Sequence, residues 1–443
     1  MSKVPLLLMS LAACTGMMVA PPGTDDPPFA GNDGGTLDDT SDGSGGGSGV
    51  VAITNVRVFD GEAVTEGATV VFAGGVITEV TSGEAAPTGA QVIDGTGKTL
   101  LPGLIDAHAH TWDDGDLSQA VVLGVTTELD MMGDPVYLVA KRAAEGRGET
   151  AQLASLFGAG NPVTVPGGHG TEYGFPVPTL GPTDDAAAFV AARLAEGSDY
   201  IKLMHEDGST YGFQTPTLTV NQLDASVSAA HAAGKLALVH VSSRLRAGQA
   251  AASGADGLAH VWAGGADEAV ATELARRGQF VVATLSVAFS ECDGTRGAAL
   301  LADPDLDPLL GTAARQILAD SYASQGVDLP CEPVTAAVAS LRAHGVEILV
   351  GTDANNPGVA HGASMHDELL LLVEAGLSPL EALAGATGRT AARFGLSDRG
   401  RIAPGKRADL ILVDGDPTTR IEQSRRIAGV WKQGVAIERR PPP

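Results

Sequence analysis

Four hundred and forty-three residues exceed the roughly 250–300 at which one hydrophobic core stops growing, so a large domain with a smaller companion is expected. With 44% hydrophobic and 18% charged residues, the chain is globular, not fibrous or disordered. Its 53 acids against 28 Lys and Arg give a formal charge of −25, which argues against nucleic-acid partners and against binding to anionic membrane surfaces.

Past the N-terminus no window holds the roughly 18 consecutive apolar residues of a membrane helix. The start differs: Lys3, the apolar run Val4 to Met9, then Leu11-Ala12-Ala13-Cys14, in which small residues mark a cleavage site directly before Cys14. This resembles a bacterial lipoprotein signal. The resemblance implies that residues 1–13 are removed and that Cys14 is lipidated, anchoring the chain outside the inner membrane, in the periplasm or at the cell surface. An ordinary cleaved signal with an incidental cysteine is the alternative. Residues 14–49 carry Pro21-Pro22-Gly23, Pro27-Pro28 and Ser44-Gly45-Gly46-Gly47-Ser48-Gly49 and read as an acidic flexible tether. With Cys14 lipidated, Cys292 and Cys331 are an even pair in an oxidising compartment, where a disulfide and two buried thiols both stand open.

From Val50 to Val80, short runs such as Val56-Arg57-Val58-Phe59 and Ala68-Thr69-Val70-Val71-Phe72, broken by Gly, predict β-strands with tight turns. Ala408–Val413 and Ile427–Lys432 predict a second set that pairs with the first in a small sandwich. Between them, short apolar strands alternate with Ala-rich helices, the pattern of a parallel sheet with crossover helices. The predicted strands are Leu104–His110, Thr126–Met131, Gln152–Phe157, Tyr200–Met204, Leu236–Val241, Gly257–His260, Phe280–Leu285 and Ile348–Asp353. Eight such units predict an α/β fold of the TIM-barrel type, whose catalytic groups sit at strand C-terminal ends.

Those ends carry the chemistry. His108 and His110 close the first strand, Lys202 lies in the fourth, and His240, His260 and Asp353 close the fifth, sixth and eighth. Residues i and i+2 of a strand share a face, so His108 and His110 can hold one metal together, and imidazole nitrogens suit zinc. An isolated His-x-His is weak; joined to four further candidate ligands, each on a separate strand, it is specific. A protonated lysine cannot ligate a cation, but burial lowers its pKa and exposes a reactive amine. Lys202 is one of seven lysines, and it stands inside an apolar strand; a snorkelling or salt-bridged lysine is the alternative.

Leu101-Pro102-Gly103-Leu104-Ile105-Asp106-Ala107-His108-Ala109-His110, Tyr200-Ile201-Lys202, Val239-His240, Ala259-His260, Gly351-Thr352-Asp353-Ala354 and the closing Gly400–Leu410 segment resemble the metal-dependent amidohydrolase superfamily. The chain looks most like its imidazolonepropionase-related branch, which includes prolidase-like dipeptidases. Over residues 50–438 the resemblance implies a (β/α)8 barrel at 102–399 and a composite β-sandwich from 50–101 and 400–438. It implies two divalent ions, expected to be zinc: His108, His110 and Asp353 on one, His240 and His260 on the other. A carboxylated Lys202 bridges them, and Asp353 doubles as general base.

Further candidates follow from position. His169, in Pro166-Gly167-Gly168-His169-Gly170, resembles a substrate-facing loop of related hydrolases; His205, Tyr211, His361 and His366 follow the fourth and eighth strands on the same rim. His231 and His344 read as surface residues. Where many relatives carry a second His after the strand-five ligand, this chain has Ser242-Ser243-Arg244, and Arg244 reads either as a carboxylate binder or as a helical surface salt bridge. The leading reading is a binuclear hydrolase of an amide-type bond in a small molecule. A mononuclear deaminase of the same barrel and a non-catalytic ligand-binding lipoprotein are the competing ones.

Overall fold

The computed structural model describes residues 49–442. The signal, Cys14 and the tether as far as residue 48 lie outside the described residues. The described chain opens on five strands, β1 (Val50–Phe59), β2 (Val64–Ala73), β3 (Val76–Ser82), β4 (Gln91–Asp94) and β5 (Lys98–Pro102). Eight short strands separated by helices follow: β6 (Leu104–Ala109), β7 (Val125–Asp130), β8 (Ser155–Gly158), β9 (Ile201–Met204), β10 (Ala237–His240), β11 (Gly257–Ala259), β12 (Phe280–Val282) and β13 (Glu347–Leu349). The chain closes on β14 (Leu410–Asp414), β15 (Ile427–Lys432) and β16 (Val435–Ala436). The fold is mixed α/β.

Strands from both chain ends share one sheet, in the order β16-β15-β14-β5-β1-β2-β3, with β4 also on β1. The join is β14 antiparallel to β5, Leu410 opposite Pro102 and Asp414 opposite Lys98. Ile53, Val58, Val70, Phe72, Leu410 and Trp431 bury together beneath it, Phe72 and Trp431 meeting edge to face at 5.9 Å. Each such side chain contributes about 1.5–3 kcal/mol by leaving water. This core ties the last strands to the first and so fixes where β6 begins.

The eight inner strands run parallel in two sheets, β6-β7-β8 and β9 through β13 in chain order. Backbone hydrogen bonds span both gaps between them. On one side Val163 N–H donates to Lys202 O at 2.8 Å and Met204 N–H to Val163 O at 2.9 Å; on the other Ala107 N–H donates to Val350 O at 2.9 Å and Asp353 N–H to His108 O at 2.8 Å. The strand faces alternate as period two demands. Tyr200, Leu238, Phe280 and Val282 form an inner cluster, while Val239, Val281 and Ile348 pack outward on the helices. Lys202 and His240 share the parity of Tyr200 and Leu238, and so face inward at the opposite end.

Two strands end three or four residues before their apolar runs predict. β12 stops at Val282 because the chain turns at Thr284, φ 52°, into the helix Leu285–Cys292. β13 stops at Leu349, and residues 350–353 leave its ladder to bond β6 instead. Among the described residues no helix is long and apolar enough to cross a membrane.

Cys292 and Cys331 form a disulfide across a separation of 39 residues, which settles the open choice between bond and thiols. In the chain-entropy account, closing a loop of that length removes about 4 kcal/mol of unfolded-state freedom. Replacing both cysteines by Ser is expected to lower the unfolding free energy by about 2–4 kcal/mol in urea titration. An unchanged urea midpoint would show that the bond adds nothing to stability.

Candidate metal centre

The six predicted ligands converge on one pole of the parallel strands. Asp353 Oδ1 lies 3.1 Å from His108 Nε2 and 2.9 Å from His110 Nε2. These three residues offer ligand atoms within 4.8 Å of one another. Lys202 Nζ is 3.4 Å from His108 Nε2, and Asp353 Oδ2 is 3.8 Å from His260 Nδ1. His260 Nε2 in turn lies 3.1 Å from His240 Nδ1. The result is one cluster in which Lys202 and Asp353 stand against both the His108/His110 pair and the His240/His260 pair.

Neighbouring acceptors orient the rings. His110 Nδ1 sits 3.0 Å from Met132 O; a carbonyl only accepts, so that nitrogen carries the proton and Nε2 presents its lone pair inward. Glu206 Oε2, 3.7 Å from His240 Nε2, favours the proton there and leaves Nδ1 facing His260. His260 Nδ1 meets Thr284 Oγ1 at 2.6 Å, which leaves its Nε2 facing His240. Burial, reinforced by the Lys202 charge, pushes His108 down to about 3; burial and then the His169 charge push His240 down to about 4. Both rings are therefore neutral, the form that binds metal. Burial also takes the Lys202 ammonium down to about 7 against the pull of Asp353 and Asp130. Asp353 Oδ1 is buried and has no hydrogen bond of good geometry, although two imidazole nitrogens flank it. Burial lowers His110, but the hydrogen bond and charge of Asp353 outweigh it and raise the ring above its ordinary value, a proton that a divalent ion such as zinc would replace.

Asp353 occupies left-handed backbone, φ 63°, a conformation that costs a non-glycine residue about 1–3 kcal/mol and persists only when its surroundings over-determine it. Here they do: its N–H reaches His108 O, and Asn356 Nδ2 donates to its carbonyl at 2.7 Å. Asp106, to which sequence reasoning gave no role, accepts the N–H groups of His108 and Thr352, both at 3.0 Å, and the Thr352 hydroxyl at 2.6 Å. Glu206 and Thr284 were likewise missed; each follows a strand, but only the folded chain sets it against a ligand.

The other candidates scatter. His169 stands over the site, its ring centroid 4.5 Å from that of His240, with Nδ1 2.6 Å from Glu172 Oε1. His205 is buried, its Nε2 2.8 Å from Gln249 Oε1. Tyr211 donates its hydroxyl to Glu291 at 2.9 Å. His361 is 2% exposed, with Nδ1 2.7 Å from Glu128 Oε1 and Nε2 3.6 Å from Asp116 Oδ1. His366 is buried between Ser424 Oγ and Leu123 O, each at 3.0 Å. His231 pairs with Asp256 and His344 with Glu268 away from the cluster. Arg244 makes no ion pair among the described residues; it lines a cleft of about 310 Å³ with Ser209, Thr210 and Ser243.

The fold and this site define a family. The sequence profile of the amidohydrolase family matches residues 99–437, and the chain belongs to that family. It is 28% identical over 391 residues to an imidazolonepropionase of Deinococcus radiodurans, covering 80% of this chain and 86% of that protein. A stretch of 82 residues is 46% identical to an imidazolonepropionase of a Ruegeria species, but spans 17% of this chain and only 19% of that relative. Among solved structures, a Xaa-Pro dipeptidase with bound methionine superposes with TM-score 0.69 at 23% identity, over 88% of this chain and 100% of that one. Phenylurea hydrolase B superposes with TM-score 0.70 at 23% identity, over 88% and 97%. At these identities the likeness is one of fold.

His361 yields a pH signature. Burial opposes its charge, but Glu128 and Asp116 raise it from the ordinary 6.5 to about 10. The folded state therefore keeps a proton that the unfolded state has lost, so this stabilisation is complete below about 6.5 and is lost as pH rises through about 10. Lys202 titrates in that window with the opposite sign, so the variant must be compared with wild type at each pH. The stability deficit of His361→Gln is expected to be a few kcal/mol near pH 6 and to shrink steadily towards pH 10. A deficit independent of pH in urea titrations would mean that His361 is neutral when buried.

Proposed function

We propose that the chain is a binuclear metal-dependent hydrolase that cleaves an amide-type C–N bond in a small molecule, a dipeptide being one candidate. The observation that carries the reading is Lys202. A buried amine whose proton is weakly held stands beside His108 and Asp353, where its carbamate would bring an anionic oxygen pair within reach of both histidine pairs. Formation is balanced: the neutral amine adds to carbon dioxide and releases one proton. His108, His110 and Asp353 would hold one ion, His240 and His260 the other, with Lys202 between.

Two bound cations supply Lewis acidity, activating a water and polarising the scissile carbonyl. The protein groups do the rest. Asp353 takes the water's proton on its carboxylate and passes it to the leaving nitrogen; its Oδ1 faces His108 and His110 and its Oδ2 faces His260, so the carboxylate stands among the proposed ligands. His169, above His240, is placed to touch substrate, and with it we keep His205 and Tyr211 as rim contacts. His361 faces Glu128 and Asp116 instead, and its part is structural.

A mononuclear deaminase remains the second reading, because His108, His110 and Asp353 alone form a tight three-ligand group among the described residues. A 64-residue stretch also matches an adenine deaminase of Gluconobacter oxydans at 45% identity, spanning 11% of that protein. Metal analysis separates the two. Wild type is expected to hold about two ions per chain and Lys202→Ala no more than one, while Asp353→Asn loses about 10²–10⁴-fold in kcat on a dipeptide library. One ion in wild type, unchanged by Lys202→Ala, would sink the binuclear reading.

The architecture we infer is a closed (β/α)8 barrel over 102–399, supported by the hydrogen bonds across both gaps between the parallel sheets, with a β-sandwich from 50–101 and 400–438. We further propose that the mature chain begins at lipidated Cys14 and works in the bacterial envelope on a small-molecule amide. The disulfide supports an oxidising compartment. Cys14→Ala is expected to abolish lipid labelling and to release protein from the membrane fraction. Unchanged membrane association would point to a plain signal peptide.

A further inference from the structure

The chain is poor in aromatics, with ten Phe, five Tyr and three Trp in 443 residues, yet three of these rings form a contiguous ladder on the candidate site. Trp112, two residues after His110, meets Phe175 edge to face at 5.4 Å, and Phe175 stacks on Tyr173 at 6.3 Å. Tyr173 contacts His169 at 6.1 Å, and His169 contacts His240 at 4.5 Å. The ladder thus runs without a break from a proposed ligand out to solvent. Its outer members stay wet: Trp112 is 40% exposed and Tyr173 43%, whereas the other two tryptophans, Trp262 and Trp431, are buried.

Rings that served only packing would be covered. Phe280 and Phe394, which pack the inner strand ends, have no such exposure. Trp112 and Tyr173 keep much of their ring surface exposed beside the candidate metal cluster, where a substrate group can cover it. We propose that Trp112, Tyr173 and Phe175 form a substrate subsite for an aromatic group, so that the amide substrate carries a phenyl-type substituent on one side of its scissile bond. Ring faces select for planar apolar groups through offset or edge-to-face contact, and His169 joins that surface to the reacting centre. This inference rests on the hydrolase reading for the place of the reacting bond, but not for the occupancy of the ladder.

The test therefore uses binding first. Trp112 is the exposed tryptophan, so its emission reports on the ladder while Trp262 and Trp431 stay silent to a quencher. N-acetyl-L-phenylalaninamide is expected to shift that emission saturably and to protect it from acrylamide, whereas N-acetyl-L-alaninamide at equal concentration does neither. Tyr173→Ala and Phe175→Ala keep the reporter and are expected to weaken the phenyl probe about tenfold. In turnover, the ratio of kcat/KM for phenylalanyl over alanyl amides should fall by a similar factor in both variants, with metal content unchanged as the check on folding. Equal responses to the two probes, or no saturable response, would overturn the subsite. So would an emission that changes with protein concentration alone, because a second copy of the chain would then cover the ladder. Saturable phenyl binding without hydrolysis of any amide would uphold the subsite and remove the hydrolase reading instead.

Discussion

One buried carboxylate holds the candidate site together. Asp106 accepts hydrogen bonds from the backbone of His108, the backbone of Thr352 and the Thr352 hydroxyl, so the first and last of the parallel strands are clamped where their ligands emerge. A fully buried carboxyl is costly, and here burial, then Glu128, raises its value to about 7. Three hydrogen bonds, at 3.0, 3.0 and 2.6 Å, offset that cost, and each is worth more to a carboxylate than to a neutral acceptor. The clamp works beside direct bonds from Thr352 N–H and Asp353 N–H to His108 O, at 3.2 and 2.8 Å, and together they hold the two chain segments and the left-handed backbone of Asp353 in place.

The same device recurs one strand earlier. Glu368 accepts from Leu285 N–H at 2.8 Å and from Ser286 N–H at 2.6 Å, satisfying the open donors at the start of the helix that follows β12. That anchor fixes Thr284, whose hydroxyl meets His260. A carboxylate on the helix after β13 therefore sets the orientation of a histidine after β11, through two intermediates and no direct contact. Glu128 belongs to the same buried layer, holding Thr111 by its hydroxyl at 2.7 Å and His361 at its other oxygen. The chain's acids are thus not all surface groups; some form the frame behind the candidate cluster, where burial raises Asp106 to about 7 and Glu368 to about 8.

This explains what the sequence disclosed and what it withheld. The parallel strands were legible because each is a short apolar run, four of them closed by a ligand-type residue as in Leu238-Val239-His240. The candidate cluster was legible because metal chemistry restricts residue types, and the fold brings His108, His110 and Asp353 together. Asp106, Glu368 and Glu206 were not, since an acid beside a strand is unremarkable until the fold supplies the N–H groups or the ring it faces. The end of β13 was misjudged for a related reason: residues 350–353 look like strand and are extended by composition, but their hydrogen bonds go to β6. His361 reads as a rim residue by position, and only the fold sets Glu128 and Asp116 against its two ring nitrogens.

The outer rim obeys a different constraint from the frame. Tyr211, on the segment after β9, bonds Glu291, and Glu291 is followed directly by Cys292 of the disulfide. The other half of that bond, Cys331, follows Leu329 and Pro330, which line the cleft containing Arg244. Segments 39 residues apart are therefore tied at one place on the rim, where burial raises Glu291 to about 7 and the hydroxyl of Tyr211 is its hydrogen-bond donor. The frame behind the candidate cluster is set by buried hydrogen bonds, whereas the rim is set by a covalent tie that leaves the segment between, with its helices Arg296–Leu301 and Thr312–Leu318, free in sequence. A family that keeps its metal chemistry while changing its substrates needs that division, because only the loops can vary without moving the ligands.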